Sequence, residues 1–440
     1  MSDPYRRFVE LGYDPDPERD VIVVFRAVPA EGYSALDVAG AIAAESSVGT
    51  WTTLYTWYSV ERVEKLKGRA YSVEDTGEGS YYVRVAYPYE LFEEGNLAAF
   101  LASVAGNVYG MKRIKWLRVE DIYLPPPFVS GFKGPSKGIQ GIRNALKVYG
   151  RPIVGTVPKP KVGYSPEEVE KLAYEILAGG MDFIKDDENL ASPSYCSFEK
   201  RAEAVMKAID RAEKETGERK AWLANITGDI REMERRLKIV ADYGNPYVMV
   251  DVVLAGWSAI TYIRDLAEEY GLAIHGHRAF HAAFTKNPLH GMSMFVLAKL
   301  YRLAGVDQLH VGVPGVGKMD ARTQEVLDSA EVLRSSTFKP RKEDKVHLEQ
   351  HFRGIKPALP VASGGLHPGV LPEVIKHMGI DIVIQVGGGV IGHPDGPMAG
   401  AAAVRQAIEA ALRGVSLEEY AAQRRELKRA LEKWGTRPHA

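Results

Sequence analysis

The sequence predicts an α/β protein in which a ferredoxin-like N-terminal α+β domain precedes a (β/α)₈ (TIM-type) barrel. Eight short apolar runs, most of them separated by amphipathic stretches, occupy roughly the last 300 residues, which is the pattern of a parallel barrel. The first part of the chain lacks this alternation and mixes strand-like with helix-like segments. A doubly wound open sheet remains the alternative, because periodicity does not show whether a sheet closes.

The N-terminal domain is predicted from four segments with strand, helix, strand and helix character, at residues 21–28, 35–44, 80–87 and 97–108. A proline-rich break follows at residues 124–127. Neither a helix nor a central strand continues through such a stretch. The predicted domains are therefore residues 1–130 and 131–440.

Eight apolar runs are the predicted barrel strands, at residues 152–157, 182–185, 221–224, 247–252, 272–275, 308–311, 359–362 and 380–385. A helix is predicted to begin at a capping box formed by Ser165 and Glu168 and to end at Gly179. The chain is predicted to end in one capped helix over residues 416–434. Because barrel enzymes place their chemistry at the C-terminal ends of the strands, the residues that close each run are the candidates for function.

Composition excludes several classes of protein. The chain has 440 residues, with 56 basic and 57 acidic side chains, so no bulk charge attracts nucleic acid or a membrane surface. No apolar run is long enough for a transmembrane helix, and the start of the chain lacks a secretory signal. Cys196 is the lone cysteine, which excludes an internal disulfide and a thiolate zinc site. We expect a cytoplasmic protein without nucleic-acid or membrane partners.

The second predicted strand ends in a lysine and three acidic residues. Strand alternation places Lys185 and Asp187 on one side, with Glu188 at the rim. Clustered carboxylates suit Mg²⁺. A neutral Lys185 amine that reacts with CO₂ would become a carbamate and supply a third anionic oxygen ligand. Simple neutralisation of the acidic neighbours by Lys185 is the alternative.

The first and fifth predicted strands end in basic groups. Lys159 and Lys161 stand between prolines, which restrain the loop, although two ordinary solvated lysines would give the same pattern. The fifth strand leads into a cluster that contains His277 and Arg278, suited to proton transfer and to phosphate binding. Ligation of a transition metal by the histidines is the alternative.

The last three strands lead into glycine-rich loops. The sixth ends near His310, and its loop resembles a mobile lid that brings Lys318 onto a bound anion. The loops after the seventh and eighth strands contain Gly364, Gly365, Gly387 and Gly388. Bare glycine backbone lets N–H groups approach a phosphate, whereas tight turns with positive φ would select glycine for another reason.

Several segments resemble the active-site segments of the ribulose-bisphosphate carboxylase large subunit, in that family's order and with similar spacing. They are residues 155–163, 180–189, 275–281, 311–318, 363–368 and 385–393, with residues 43–51 and 106–107 in the first domain. The segment 180–189 is the most specific. The resemblance covers nearly the whole chain.

The resemblance implies carboxylation of D-ribulose 1,5-bisphosphate by CO₂ and water to two molecules of 3-phosphoglycerate, with O₂ as a competing substrate. Carbamylated Lys185, Asp187 and Glu188 would hold Mg²⁺, which would bind the enediol formed when the carbamate abstracts the C3 proton. Lys159 would be the acid–base group at C2, and Lys161 would set its environment.

The resemblance also implies the remaining roles. His277 would take part in proton transfer near the metal, and Lys318, paired with Glu45, would polarise CO₂. The residues implied to bind substrate are Thr50, Trp51, Asn107, Lys161, Arg278, His310, Ser363, Gly364, Gly365, Gln385, Gly387 and Gly388. In this family the first-domain residues complete the site of a partner subunit, which implies a homodimer or an assembly of dimers. The short chain suggests that no small subunit binds.

The chain differs from the plant-type large subunit in its shorter length, the missing C-terminal extension and Pro314 in the lid. Pro158 and the length look most like the archaeal form III branch, in which the substrate is thought to come from nucleotide breakdown. The alternatives are a carboxylase-like enolase or isomerase of sulfur salvage and a non-catalytic phosphosugar-binding barrel. The first typically lacks residues that capture CO₂, and the second has no use for the acidic cluster at Lys185.

Overall fold

The computed structural model describes residues 3–52, 60–316 and 322–438. The chain forms two compact units. The first unit consists of Met1–Lys133, Phe280–Leu303 and Ser335–Ile355, and the second of Gly134–Ala279, Ala304–Arg334 and Lys356–Ala440. The chain therefore returns to the first unit twice after leaving it. The division into domains 1–130 and 131–440 stays a prediction.

The described strands are β1 (Asp20–Pro29), β2 (Arg69–Asp75), β3 (Tyr81–Pro88), β4 (Ile114–Tyr123), β5 (Ile153–Thr156), β6 (Phe183–Lys185), β7 (Ala221–Asn225), β8 (Tyr247–Asp251), β9 (Ala273–His277), β10 (Gly291–Met292), β11 (Gln308–His310), β12 (Thr337–Phe338), β13 (Gln350–His351), β14 (Leu359–Ser363) and β15 (Val383–Gln385).

The described helices are α1 (Ala35–Glu45), α2 (Val60–Lys65), α3 (Leu97–Val104), α4 (Pro126–Ser130), α5 (Gly138–Leu146), α6 (Pro166–Ala178), α7 (Phe198–Thr216), α8 (Ile230–Asp242), α9 (Val252–Ala255), α10 (Trp257–Glu269), α11 (Ala282–Thr285), α12 (Met294–Ala304), α13 (Thr323–Arg334), α14 (Leu371–Met378), α15 (Gly388–Ile391), α16 (Pro397–Arg413), α17 (Leu417–Ala421) and α18 (Arg425–Trp434). None of these helices combines the length and the apolar character that crossing a bilayer requires.

The first unit contains a sheet in the order β10-β4-β1-β3-β2. The pairs β1–β3, β1–β4 and β2–β3 are antiparallel, and β10 adds a parallel edge to β4. With α1 and α3 between the strands, this is the ferredoxin-like arrangement predicted. Ser34 caps α1, and it forms a reciprocal capping box with Asp37.

Strands β2 and β4 were not among the predicted segments. In β4 the reason is buried charge, which interrupts the apolar pattern of a strand. Arg118 donates to the carbonyl oxygens of Thr285 and Asn287 at 3.1 and 2.8 Å. Asp121 accepts from Lys299 Nζ at 2.5 Å, and both side chains are fully buried. Partners distant in sequence thus make these charged residues compatible with a central strand.

The second unit is a closed barrel of eight parallel strands, in the order β11-β14-β15-β5-β6-β7-β8-β9. Each of the eight predicted apolar runs overlaps one of these strands, so the barrel is confirmed and the open sheet is excluded. The β9–β11 pair, with Gln308 opposite His275, joins the first five strands to the last three. An apolar cluster takes side chains from seven of the strands, and Ile142 and Leu146 of α5 pack into it.

Helix termini follow the sequence signals in one case and depart from them in another. Ser165 Oγ accepts from the backbone N–H of Glu168 at 3.3 Å, and Pro166 begins α6, as the capping box predicts. The prediction of one helix over residues 416–434 is wrong. Arg424 adopts an extended backbone conformation between α17 and α18, and the Leu427 N–H donates to Gln406 Oε1 at 3.0 Å. This side-chain acceptor replaces the intrahelical bond that a continuous helix would need.

Candidate active site

At the end of β6, the adjacent residues Asp186 and Asp187 have different surroundings. Asp186 is buried and accepts from Trp222 Nε1 at 3.0 Å, from Arg201 Nε at 3.2 Å and from the Asn225 N–H at 3.0 Å. Asp186 is therefore a structural residue whose oxygens already have donors. Lys185 is 1% exposed, and its Nζ donates to the Asp186 carbonyl at 2.7 Å.

Asp187 and Glu188 each face a lysine from the loop that follows β5. Lys159 Nζ lies 3.0 Å from Asp187 Oδ2, and Lys161 Nζ lies 3.3 Å from Glu188 Oε1. Burial opposes ionisation of Asp187, but the hydrogen bond and charge of Lys159 outweigh it and hold the pKa of Asp187 below its ordinary value. The charges of Glu188 and Asp187 raise the pKa of Lys161. The ends of two adjacent strands thus carry two anions and two cations in contact.

Lys185 has a different electrostatic balance. Burial lowers the pKa of the Lys185 amine, and the neighbouring charges of Glu188, Asp187 and Asp251 only partly offset this effect. A larger fraction of this amine is consequently neutral than in a surface lysine. A neutral amine has a free electron pair and can act as a nucleophile.

His277, at the end of β9, connects the acidic group to β8. Its Nδ1 lies 2.9 Å from Asp251 Oδ1, and its Nε2 lies 3.6 Å from Glu188 Oε2. Burial lowers the pKa of His277 despite the opposing effect of Asp251, so the ring is neutral at neutral pH. A neutral ring beside a carboxylate places its proton on Nδ1 and leaves Nε2 as an acceptor.

The opposite side of the barrel end contributes basic and hydroxyl groups. His310 Nδ1 lies 2.8 Å from Ser363 Oγ, and His310 Nε2 lies 2.9 Å from His275 Nε2. Arg278 donates to the Val311 carbonyl at 3.0 Å, and burial lowers the pKa of Arg278 to about 10, which still leaves it charged at neutral pH. This side can therefore offer a cation and hydrogen-bonding groups to an anion.

The two glycine loops differ in backbone conformation. Gly364 and Gly365 have φ values of 109° and 76°, so a tight turn is enough to require glycine there. Gly387 and Gly388 are not among the residues with positive φ. A Cβ on Gly387 would lie 3.3 Å from Lys159 Cε, so glycine keeps room for that lysine. Gln385 Oε1 is buried and has no hydrogen-bond partner among the described residues, which leaves it available to a ligand.

The first-domain candidates belong to the first unit. Glu45 is the last residue of α1, and Asn107 begins a 3₁₀ turn, Asn107–Gly110. Thr50 and Trp51 follow α1, and Trp51 is 76% exposed. Lys318 lies outside the described residues.

Comparison with known families covers both units. Residues 138–434 match the model of the ribulose bisphosphate carboxylase large chain, catalytic domain, and residues 7–128 match that of the same chain's N-terminal domain. The chain belongs to the ribulose bisphosphate carboxylase large chain family. The prediction that it is an enzyme is confirmed at this level.

Relatives of this family are similar over almost the entire chain. The ribulose bisphosphate carboxylase of Archaeoglobus fulgidus is 61% identical over 98% of each chain, and that of Thermococcus kodakarensis is 59% identical over 98% of this chain and 97% of its own. Among solved structures, the dimeric archaeal Rubisco from Hyperthermus butylicus has a TM-score of 0.94 at 61% identity, covering 98% and 99% of the two chains. The octameric Rubisco from Pyrococcus horikoshii has a TM-score of 0.90 at 47% identity, covering 98% and 97%. These relatives are consistent with the predicted archaeal branch.

Two residues of this ribulose bisphosphate carboxylase family member were missed by sequence reasoning. Asn225 closes β7, and its Nδ2 donates to the carbonyl oxygens of Asp187 and Glu188 at 3.3 and 3.4 Å. Asp251 closes β8 and holds His277. Both occupy strand ends, where the barrel rule directs the search, but each is a single polar residue without a neighbouring motif to mark it.

Proposed function

We propose that this chain catalyses the carboxylation of D-ribulose 1,5-bisphosphate to two molecules of 3-phosphoglycerate, with O₂ as a competing substrate. The observation that carries the proposal is Lys185, an amine buried at a strand end of the barrel beside two carboxylates. The names of archaeal relatives at 59–61% identity support the assignment.

We propose that CO₂ activates the enzyme by reacting with the amine of Lys185. Its lowered pKa increases the neutral fraction, and the neutral amine can attack the carbon of CO₂. A new N–C bond forms while the amine releases one proton to water, and the product is a carbamate anion. Together with Asp187 and Glu188, the carbamate would provide three oxygen anions at one strand end.

This donor set fits Mg²⁺, a hard cation that prefers oxygen ligands and tolerates only a few carboxylates beside substrate or water. Lys185 as carbamate, Asp187 and Glu188 would hold the ion. When bound, it would supply electrostatic stabilisation of negative charge on the substrate oxygens.

Two side chains of the site, Lys159 and His277, are the proposed acid–base groups. Lys159, 3.0 Å from Asp187, is the proposed acid–base group at C2, and Lys161 places a second positive charge 3.3 Å from Glu188. His277 would donate its Nδ1 proton to Asp251, and its Nε2, 3.6 Å from Glu188 Oε2, would accept a proton from the substrate. Proton transfer by such positioned groups typically contributes about 10²–10⁴-fold to a rate.

The two phosphates of the substrate have different proposed partners. Arg278 and Ser363 would bind one phosphate and the sugar hydroxyls, and His310 would hold Ser363 in position for them. The backbone of Gly364, Gly365, Gly387 and Gly388 would bind the other phosphate, with Thr50 and Trp51. The charged Arg278 supports the first assignment. The buried Gln385 Oε1, unpaired among the described residues, is an acceptor and would receive a hydrogen bond from a hydroxyl of the substrate.

We further propose a homodimer or an assembly of dimers, in which Glu45, Thr50, Trp51 and Asn107 complete the site of the partner chain and Lys318 closes over the substrate. Solved relatives described as dimeric and octameric support such an assembly. The 76% exposure of Trp51 in the single chain also supports it, because an interface would cover this large aromatic side chain.

The test is incorporation of labelled bicarbonate into acid-stable product with ribulose 1,5-bisphosphate, with and without prior incubation with CO₂ and Mg²⁺. We expect fixation that rises with the preincubation. Exchange of the C3 proton without fixation would instead indicate the enolase or isomerase alternative. Binding of the sugar bisphosphate that is equal in EDTA, without either reaction, would indicate a non-catalytic barrel.

Lys185→Met tests the carbamate directly, because methionine has no amine that could react with CO₂. We expect complete loss of fixation with an intact fold. Lys220→Met is the matched control, since Lys220 is also a buried lysine of the barrel, but its Nζ donates to the Met181 carbonyl and to Glu218 before β7 begins. An active Lys185→Met protein would exclude the carbamate assignment.

A further inference from the structure

A row of hydrogen-bonded side chains leads from the barrel core to Ser363. Tyr247 Oη lies 3.4 Å from Gln308 Oε1, and Gln308 Nε2 lies 2.7 Å from His275 Nδ1. His275 Nε2 lies 2.9 Å from His310 Nε2, and His310 Nδ1 lies 2.8 Å from Ser363 Oγ. Tyr247, His275 and Gln308 are buried, and burial lowers the pKa values of both histidines well below their ordinary value, so both rings are neutral.

The side chain of Gln308 is unusual for its position. Seven of the eight barrel strands contribute an apolar side chain to the cluster in the core, and β11 contributes none. β11 begins instead with Gln308, which has no accessible surface. A buried amide costs free energy unless its hydrogen bonds are made, so its presence requires a reason.

The chemistry of these groups determines the direction of every hydrogen bond in the row. The Tyr247 hydroxyl has no acceptor other than Gln308 Oε1 among the described residues, so it donates to that oxygen and orients the amide. Gln308 Nε2 can only donate, and His275 Nδ1 must accept. His275 then carries its proton on Nε2 and donates to His310 Nε2, and His310 carries its proton on Nδ1 and donates to Ser363 Oγ.

The hydrogen bond between His310 and Ser363 determines whether the Ser363 hydroxyl can donate to another group. Because Ser363 Oγ accepts from His310, the hydroxyl proton of Ser363 is free to point elsewhere, and no described residue accepts it. If the amide were reversed, every bond would reverse as well. Ser363 would then donate to His310, and the Tyr247 hydroxyl would be left without an acceptor, at the cost of a buried unsatisfied donor.

We propose that Gln308 is a positioning residue that, through His275 and His310, makes Ser363 a hydrogen-bond donor to the sugar bisphosphate. This inference rests on the proposed function insofar as Ser363 contacts that substrate. The order of the protons in the row does not depend on the function.

The first experiment measures that order directly. In protein with ¹⁵N-labelled histidine, the ring nitrogen shifts distinguish the two neutral tautomers, and replacement of each histidine assigns its signals. We expect His275 protonated on Nε2 and His310 protonated on Nδ1. The reverse tautomers would overturn the proposal, whether or not the chain fixes CO₂.

The second experiment is a double-mutant cycle between Gln308→Met and Ser363→Ala. Gln308→Met keeps the volume but removes both hydrogen-bonding groups, and we expect kcat/KM to fall about tenfold, the effect of losing one ordered hydrogen bond. In the Ser363→Ala background the same substitution should change kcat/KM by less than about twofold, because the group through which Gln308 acts is absent. A full tenfold fall in both backgrounds would show a structural effect and overturn the proposal.

Two further variants keep the test decisive. Gln350→Met removes another buried glutamine, in the first unit, where its side chain bonds the backbone of Leu124; it should leave kcat/KM unchanged. If Gln308→Met does not fold, Tyr247→Phe removes only the hydroxyl that orients the amide. We expect the His310 signals of Tyr247→Phe to show both tautomers, and an unchanged single tautomer would overturn the assigned order.

Discussion

Asp251→Asn is the substitution that most directly tests the proton arrangement at His277. Asp251 is almost fully buried, and its Oδ1 lies 2.9 Å from His277 Nδ1. Asparagine has nearly the same shape, so packing is preserved. Its amide nitrogen, however, can donate to Nδ1, which moves the ring proton to Nε2. The nitrogen that faces Glu188 at 3.6 Å would then be a donor and could no longer accept a proton.

The magnitude follows from the bond that is lost. A hydrogen bond to a charged group contributes about 1.5–3 kcal/mol, which corresponds to roughly 10- to 150-fold in a rate or equilibrium constant. Asp251 also raises the pKa of His277 against the dominant effect of burial, so its removal lowers that pKa further. We therefore expect kcat to fall by one to two orders of magnitude, while the free energy of unfolding falls by no more than about 3 kcal/mol.

The assay is exchange of the C3 proton of ribulose 1,5-bisphosphate with solvent, together with fixation of labelled CO₂. Asp344→Asn is the matched control, because Asp344 Oδ2 lies 2.6 Å from His347 Nδ1 in the first unit and makes the same kind of pair. We expect Asp344→Asn to retain both activities. Wild-type exchange and fixation by Asp251→Asn would refute the role that we give to the His277 tautomer.

Two further predictions concern stability. Arg201 has no accessible side-chain surface and donates to Asp186 and to the carbonyl oxygens of Cys196 and Ala191 at 3.2, 3.1 and 2.6 Å. Arg201→Met should therefore cost about 3–5 kcal/mol in urea unfolding, whereas the exposed Arg235→Met should change little, and equal effects would contradict the buried-pair argument. Asp307 accepts three backbone N–H bonds, and burial raises the pKa of Asp307 from 3.8 to about 6. The folded chain thus holds this proton more tightly than the unfolded chain, so this group lowers stability by about 3 kcal/mol as the pH rises from about 3 to about 7. Asp307→Asn should remove this part of the pH dependence of unfolding, and an unchanged dependence would show that Asp307 is not its source.

Much of the fold could be predicted because it depends on local patterns. The eight apolar runs of the barrel overlap the eight observed strands, and the Ser165 capping box begins α6 as expected. β4 could not be predicted in this way, because its buried Arg118 and Asp121 are compatible with a strand only when partners more than 150 residues away reach them. The break at Arg424 likewise depends on Gln406 of another helix.

The residues of the candidate site also divide into those that the local sequence predicts and those that it does not. Lys185, Asp187 and Glu188 stand together in the sequence, and the chemistry of their side chains is sufficient to indicate a metal site. Asp251 closes an apolar run and Gln308 opens one, and no sequence pattern marks either residue as functional.

The sequence by itself determined the fold class, the family and the acidic cluster at the end of β6, because periodicity and local motifs are properties of neighbouring residues. Only the tertiary structure decided which proton each buried histidine carries. It also decided that Asp186 bonds donors from β7 and α7, whereas Asp187 faces Lys159 of the loop after β5. Those properties depend on contacts between neighbouring strands of the barrel, such as His277 with Asp251 and His275 with Gln308. Hydrogen-bond direction and burial are consequences of these long-range contacts, and they set the charge and proton state of each group.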